Sequence, residues 1–485
     1  MEEKSLNRGL QLRHITMFAI GGAIGTGLFV ATGGVIAQAG PGGAILAYLI
    51  IGTMLYFLMS SIGEMATFYP VSGSFSSYAT RFVDASLGFT MGWLYWLIWA
   101  LVTSVDIIIA TNVLSYWDAF NFFSPMVWSI IFLSLLLLLN IFSVKAFGEA
   151  EFWLSLIKVI TIIVFIVLGL LMIFGILGGH TYGFDNFTHG EAPFVGGVSG
   201  FLSMLLIAGF SVGGTEVVAV TAGESDNPKK SMPRAIKQVF WRILLFYVLS
   251  IAVISAIIPY TDPTLLNESG SITQSPFTIV FDKVGIAFAA SVINAVILTS
   301  LLSASNSGLF TTSRMLFSLS QQGSAPKVLG RINLATKLPL NALITTFVLI
   351  TAVTIFANFK PESVMGLLNI IGALITFVWA FSIISQIRMR KAIKAQQKDI
   401  NQLLPYKSPL FPVGPIIVLI IIAFLIFGSS FDAILTLDIP KLAQSFLPII
   451  LLIGVYFGHK LIHKTKVIPL KQVDLSEHEM YTQHK

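Results

Sequence analysis

Residues 19–34 read "AIGGAIGTGLFVATGG" and lie inside the first long apolar segment of the chain. A glycine within a helix costs about 1 kcal/mol relative to alanine, so Gly21, Gly22, Gly25 and Gly27 together loosen any helix they occupy. Lipid makes the pattern more demanding, because backbone groups there must be satisfied within the segment or by protein neighbours. Two readings follow. "GGAIG" is a G-x-x-x-G pattern that lets helices approach closely, or the run marks a helix that unwinds near mid-membrane and offers its backbone to a ligand. A nucleotide-binding glycine loop fits less well, since no strand precedes the run and no βαβ unit surrounds it.

Composition supplies the setting. Of the 485 residues, 55% are hydrophobic and 11% charged, and the mean hydropathy is +0.85; a soluble domain carries about 25% charged residues. Apolar runs long enough to cross a bilayer recur near 14–38, 41–66, 87–117, 124–143, 150–176, 198–222, 237–258, 284–318, 340–358, 362–386, 413–430 and 445–463. Strand-like alternation is absent, so the expectation is an all-α polytopic membrane protein with twelve transmembrane helices. The first apolar segment is long and lacks a small-residue cleavage site, so it is expected to stay in the membrane. The chain contains no cysteine, which excludes disulfides, thiolate nucleophiles and cysteine metal sites. Of seven histidines, His14 is read as the only one near a membrane segment, and no metal site is expected in the bundle.

The net charge of +6 is distributed by side rather than clustered as a nucleic-acid surface, and no nucleic-acid partner is expected. Lys4, Arg8 and Arg13 precede the first segment and Arg81 follows the second. Lys229, Lys230 and Arg234 follow the sixth, Lys327, Arg331 and Lys337 the eighth, Arg388, Arg390 and Lys391 the tenth, and Lys460, Lys464 and Lys466 the twelfth. The opposite loops hold Lys283, Lys360 and Lys441. Both termini are therefore expected in the cytoplasm. The stretch from Arg388 to Pro415 reads as a cytoplasmic connector facing anionic lipid, and "PLKQVDLSEHEMYTQHK" as a mobile polar tail.

The sixth segment contains "LLIAGFSVGGTEVVAVTAGE", with Gly209, Gly213 and Gly214 at its middle. Two glycine-interrupted segments at corresponding places in two halves point to an inverted-repeat transporter with a ligand held where both helices unwind. Segments one to five and six to ten then form the repeats. The expected organisation is a cytoplasmic N-terminus (1–13), a first repeat (14–176), a second repeat (198–386), two further helices (413–463) and a cytoplasmic tail (464–485). The first break, around Ile24, Gly25, Thr26 and Gly27, frees backbone N–H groups at the start of a half-helix, where the helix dipole favours a carboxylate. The second, around Phe210, Ser211 and Gly213, frees carbonyl oxygens for an ammonium group. An amino acid carries both groups on one carbon.

Several stretches bear a family pattern: "GGAIGTGLFVATGGVIAQAGPGGAILAY", "GEMATFYPVSGSFSSYATRFV", "FGEAEFWLSLIKVITI", "GFSVGGTEVVAVTAGESDNPKKSMPRAIKQVFWRILLFY" and "SASNSGLFTTSRMLFSLSQQGSAPK". They resemble the bacterial amino acid permeases of the amino acid–polyamine–organocation superfamily, and within it most nearly the lysine-specific permeases. The resemblance covers nearly all of residues 8–465. It implies a five-plus-five inverted repeat of leucine-transporter type with two additional helices. It also implies alternating access at the plasma membrane and amino acid uptake driven by protons, with no cofactor.

Ionisable residues inside a bilayer are functional candidates by default. Asp106 and Thr103 share one face of the third segment, where a carboxylate and a hydroxyl can hold a cationic side chain. The resemblance places that face beside the substrate; an interhelical hydrogen bond is the alternative. Lys158 is read as the only basic residue well inside a membrane segment. By resemblance its ammonium stands where sodium-coupled relatives hold the metal ion, which leaves two roles open: a proton carrier, or a brace for the first helix. Glu216 matches an acid found across the family, which implies gating or proton coupling. Glu64 and Glu224 read as structural or gating residues, and Ser303, Ser305 and Asn306 as packing and hydrogen-bonding partners. Trp93, Tyr95, Trp96, Trp99, Tyr116 and Trp117 serve either interfacial anchoring or pocket lining. A proton-coupled importer of a cationic amino acid, lysine foremost, is the leading expectation. An amino acid or amine exchanger, or a permease for histidine or arginine, is the alternative. No nucleophile–base pair or H-E-x-x-H motif suggests an enzyme.

Overall fold

The computed structural model describes residues 11–476, apart from residues 23, 26, 72, 143, 226, 267–274, 284–287, 334–335, 362 and 429. No strand occurs among the described residues. The chain opens with α1 (Leu12–Met17), which widens into a π-helical turn at Phe18–Gly22; a second π turn at Gly27–Ala31 leads into α2 (Thr32–Phe68). A short α3 (Ser74–Phe82) precedes α4 (Ala85–Leu114), α5 (Pro125–Phe142), α6 (Val144–Ile173) and α7 (Gly197–Ser211). Regular helix stops at Ser211 and resumes through a 3₁₀ turn at Thr215–Val217 into α8 (Val218–Thr221). Then come α9 (Pro228–Arg242), α10 (Leu249–Ile257), α11 (Pro263–Leu266), α12 (Pro276–Lys283) and α13 (Ala289–Gln321). The chain continues with α14 (Leu340–Phe359), α15 (Ser363–Ala395), α16 (Ile400–Leu403), α17 (Val413–Gly428), α18 (Phe431–Leu435) and α19 (Ile439–His463).

Among the described residues, nine helical runs are long and apolar enough to cross a membrane, and the shorter apolar helices Pro125–Ile141 and Val413–Gly428 accompany them. One of the nine, Gly27–Phe68, covers what the sequence presents as two segments. The helix bends at Gly40, whose φ of 75° lies in the left-handed region open to glycine, and Pro41 follows it. The N–H groups of Gly42 and Gly43 at this bend donate to Pro193 O at 2.9 and 3.2 Å. A Cβ on Gly40 would lie 2.7 Å from that oxygen.

Local signals start the helices. Asp84 caps α4 by accepting from Leu87 N–H at 2.7 Å, Asn227 caps α9 ahead of Pro228, and Asp438 caps α19. The core is built on α4 and α13, which run against each other. Small residues let them approach: a Cβ on Gly308 would meet Thr103 Oγ1 at 2.2 Å, and one on Gly92 would meet Leu319 Cδ2 at 2.4 Å. The outer surfaces of α6, α14 and α19 expose Ile160, Val164, Val348 and Ile450, apolar side chains suited to lipid contact.

The arginine-rich end of the bundle departs from expectation. Arg388 and Arg390 do not belong to a connector facing lipid, because α15 continues past its apolar portion to Ala395 and carries both inward. Arg390 grips the buried Glu64 of α2 through Nε at 2.7 Å and Nη2 at 2.5 Å; Gln386 Nε2 and Ser408 N–H also donate to that carboxylate. Arg388 donates to Phe82 O and Ile468 O. The described part of the tail packs against the bundle. Val473 and Leu475 are buried, Gln396 donates to Leu470 O and Val473 O, and Arg81 holds Asp474 and Ser476. His14 is also not the only histidine near a spanning helix: His459 and His463 lie in α19, and His459 Nδ1 is 2.9 Å from Ser86 Oγ.

Just outside α4, burial alone would raise the pKa of the Asp84 carboxyl, but hydrogen bonds from Lys460 Nζ, Leu87 N–H and Tyr456 OH outweigh it and hold the group below its ordinary value. A depressed carboxylate stabilises the fold above the unfolded pKa and loses that contribution as pH falls through the folded one. This tie is therefore intact at neutral pH. The Glu64 clamp gives the sharper test. Removing one partner of a buried ion pair typically costs about 3–5 kcal/mol, since the other charge stays buried. Arg390→Ala should lower the thermal unfolding midpoint in detergent markedly, whereas Lys441→Ala, which breaks an exposed pair, should leave it nearly unchanged.

Candidate functional site

The two stretches that leave α-helical geometry meet inside the bundle. A Cβ built on Gly27 would lie 2.2 Å from Ser211 O and 2.4 Å from Ser211 Cα. The backbones touch, and only glycine permits it. Gly21 faces Ser155 of α6 with the same demand, at 2.4 Å from its Cβ, and a Cβ on Gly25 would lie 3.0 Å from Ala304 Cβ of α13. Close approach thus accounts for these three glycines, in a stretch that also includes two π turns.

Beside that contact lies a small cavity of about 50 Å³. Of the residues expected at a ligand site, Gly25, Gly27, Asp106, Phe210, Ser211 and Gly213 line it together. Among the described residues, Asp106 is the only ionisable one in the lining. The remaining wall is mainly apolar: Ile98, Trp99 and Val102 from α4, Ala304 from α13, and Ile371 and Ile375 from α15. Trp99 thereby falls on the lining side of the aromatic question, while Trp93 and Trp96 bond Ser324 O and Thr346 Oγ1.

Other expected residues stand apart. Thr103 does not line the cavity; its hydroxyl donates to Trp99 O at 2.7 Å within α4, against Gly308. Ile24 is fully buried and contributes its carbonyl to Lys158. Thr26 lies outside the described residues, as does the side chain of Glu224. The carbonyls of the second interruption already have donors: Gly213 N–H bonds Phe210 O at 2.9 Å and Tyr247 OH bonds Ser211 O at 3.1 Å. Each keeps a second lone pair for a ligand.

Lys158 reaches from α6 into the first interruption and donates to Gly21 O at 3.0 Å and Ile24 O at 2.9 Å. It is not the only basic residue within spanning helices, because Arg242 and Arg314 are buried as well. Arg242, at the end of α9, donates through Nη1 to Ala19 O at 2.9 Å and through Nη2 to Thr215 Oγ1, tying the two interruptions together. Glu216 is buried; its Oε2 accepts Gly214 N–H at 3.1 Å, and its Oε1 has no hydrogen-bond partner.

Sequence reading also missed Glu151. This buried carboxylate lies one turn before Ser155 on α6 and accepts the Ser303 hydroxyl of α13 at 2.6 Å. Both missed residues carried a usable signal. "FGEAEFW" and "VFWRILLFY" each place a charge at the edge of an apolar run. Asn306 accepts from Asn140 at 2.8 Å, joining α13 to α5, whereas Ser305 Oγ has no hydrogen-bond partner.

Buried charges, apposed helix interruptions and a central cavity in an apolar bundle define a polytopic membrane protein that handles a small solute. The amino acid permease family profile matches residues 14–471, and the chain belongs to that family. It is a multi-pass permease of the plasma membrane. The chain is 46% identical to the lysine-specific permease LysP of Escherichia coli over 99% of its own length and 98% of that protein. It is 45% identical to the lysine-specific permease LysP of Lactococcus lactis, covering 98% and 94% of the two chains. It is 45% identical to the histidine permease HisP of the same organism, covering 98% and 99%.

The Gly27–Ser211 contact sets a test. Gly27→Leu forces a side chain into the Ser211 backbone, and overpacking costs about 1–3 kcal/mol or more. This variant should give a lower melting temperature and less monodisperse protein on size-exclusion chromatography. Gly34→Ala, where nothing lies within 4 Å of the added carbon, should behave as wild type.

Proposed function

We propose that this permease imports L-lysine together with protons by alternating access. Twelve crossings carry the activity, with both termini in the cytoplasm, arranged as inverted repeats over 14–176 and 198–386 followed by two helices over 413–463. The crossing number is supported by the bend at Gly40, which splits Gly27–Phe68 into two spans, and by the two shorter apolar helices beside the nine longer ones. The basic ends of the segments support the orientation.

The single observation that carries the substrate reading is Asp106 as the one ionisable residue, among those described, that lines a largely apolar cavity. Its carboxylate faces the ε-ammonium of lysine. The backbone of Gly25, Thr26 and Gly27 receives the α-carboxylate, and the second lone pairs of Phe210 O and Ser211 O receive the α-ammonium. Gly213 keeps that turn open, and Thr103 acts indirectly by fixing α4 against α13. Lys158 and Glu216 serve coupling and gating. The names of the bacterial relatives support lysine over other amino acids.

Two experiments test these assignments. Loss of a desolvated charge partner costs about 2–5 kcal/mol, roughly thirty-fold or more in affinity. Asp106→Asn should weaken lysine binding by that amount and shift competition among lysine, histidine, arginine and ornithine away from cations; unchanged lysine affinity would refute the role. For coupling, replacing external sodium by choline at constant pH and membrane potential should leave uptake unchanged. Lys158→Ala should lose gradient-driven accumulation while exchange of labelled for unlabelled lysine survives. Loss of both in a folded variant assigns Lys158 to bracing alone, and a sodium requirement refutes proton coupling.

A further inference from the structure

Lys158 has a partner in the bundle that nothing above uses. Glu151, Ser155 and Lys158 stand at i, i+4 and i+7 on α6, one face of a helix. Glu151 is about 10 Å from Lys158 along the axis, toward the end where Glu149 pairs with Arg13 and His14. It is 1% exposed. Its Oε1 accepts Ser303 Oγ at 2.6 Å and Ser155 Oγ at 3.3 Å, while its Oε2 has no hydrogen-bond partner. Beside it lies the Asn306 amide of α13, a further neutral donor to the carboxylate. A buried carboxylate held by neutral hydroxyl and amide donors, with no ion pair among the described residues, is suited to change protonation state.

The surroundings allow that change. Ser155, which donates to Glu151, also presses on Gly21, the residue whose carbonyl holds the Lys158 ammonium. Movement of the first π turn away from α6 would remove two acceptors from Lys158 and open the space beside Ser155 in one step. The titratable and charged groups around Glu151 are Lys158 and Glu149 on its own helix. Arg13 and His14 of α1 face it through Glu149, and Asp106 of α4 and Arg242 of α9 through Lys158. On α13 and α5 it faces only hydroxyls and amides, from Ser303, Asn306 and Asn140.

We propose that Glu151 is a second proton-carrying residue of the transport cycle, receiving a proton from Lys158 when the first interrupted helix leaves α6 and releasing it toward the basic end. The inference rests on the proton-coupling reading above. In the transfer an N–H bond of the Lys158 ammonium breaks as the Ser155 hydroxyl between the two residues takes that proton and passes its own to Glu151, so an ammonium–carboxylate pair becomes an amine–carboxylic acid pair with no change in net charge. The acid then loses the proton to water and the carboxylate is regenerated.

The test uses the full chain in proteoliposomes, with labelled lysine and a pH-sensitive dye inside. Wild-type protein is measured first; failure to accumulate lysine under an inward proton gradient removes the coupling reading itself and this assignment with it. Given wild-type coupling, Glu151→Gln keeps the size of the side chain and an oxygen acceptor for Ser303. It should cut gradient-driven accumulation and lysine-linked proton entry at least about tenfold. Lysine exchange should stay within about threefold of wild type and lose its pH dependence across the neutral range. Glu151→Asp should recover part of the accumulation. Wild-type accumulation and pH dependence in Glu151→Gln would overturn the assignment while leaving proton coupling intact. Loss of exchange in both variants, with normal size-exclusion profiles, would also overturn it and make Glu151 a packing element.

Discussion

The fold turns on how a helix in lipid tolerates an interruption. Where the first helix departs from α geometry its carbonyls lose their regular donors, and no water is present to replace them. Lys158 supplies Gly21 O and Ile24 O, Arg242 supplies Ala19 O, and Ser275 supplies Phe29 O. Two buried cations, from α6 and α9, thus stand in for helix hydrogen bonds. Their desolvation is offset because each charge meets oxygen acceptors that would themselves be costly to leave unmet. Arg242 also reaches Thr215, so the same side chain holds the second interruption in register with the first.

That dependence explains the glycines. A cation can reach the carbonyls only if the helices lie close, and Gly21 against Ser155 and Gly27 against Ser211 provide the proximity. Packing and opening of the backbone are therefore one requirement. The two readings of "GGAIG" compete only while the partners are unknown.

Much of this was legible in the sequence. The apolar runs announce an all-helical membrane bundle and the paired glycine clusters mark where regular helix stops, because hydrophobicity and glycine content are local properties. Asp106 was legible for the same reason, as an acid in an apolar run. What escaped depends on distant partners. Arg242 and Glu151 drew no reading because each sits near the start of an apolar segment, and their roles show only where Arg242 meets Ala19 O and Ser303 closes on Glu151. Arg388 and Arg390 look like connector residues because apolar content ends before the helix does. The tail looks unanchored because its contacts, with Arg81 and Gln396, lie far away in the chain.

The division of labour around the cavity follows from the same physics. On the proposed reading, backbone groups beside the interruptions meet only the α-carbon substituents that all amino acids share, which cannot distinguish side chains. On that reading discrimination falls on the remaining lining, where Ile98, Val102, Ile371 and Ile375 accompany Asp106, the one ionisable lining residue among those described. A neutral side chain would displace water from that carboxylate without supplying a cation in return, and the cost of that desolvation rejects it. Selectivity of this kind comes from what a wrong ligand leaves unmet more than from added attraction for the right one.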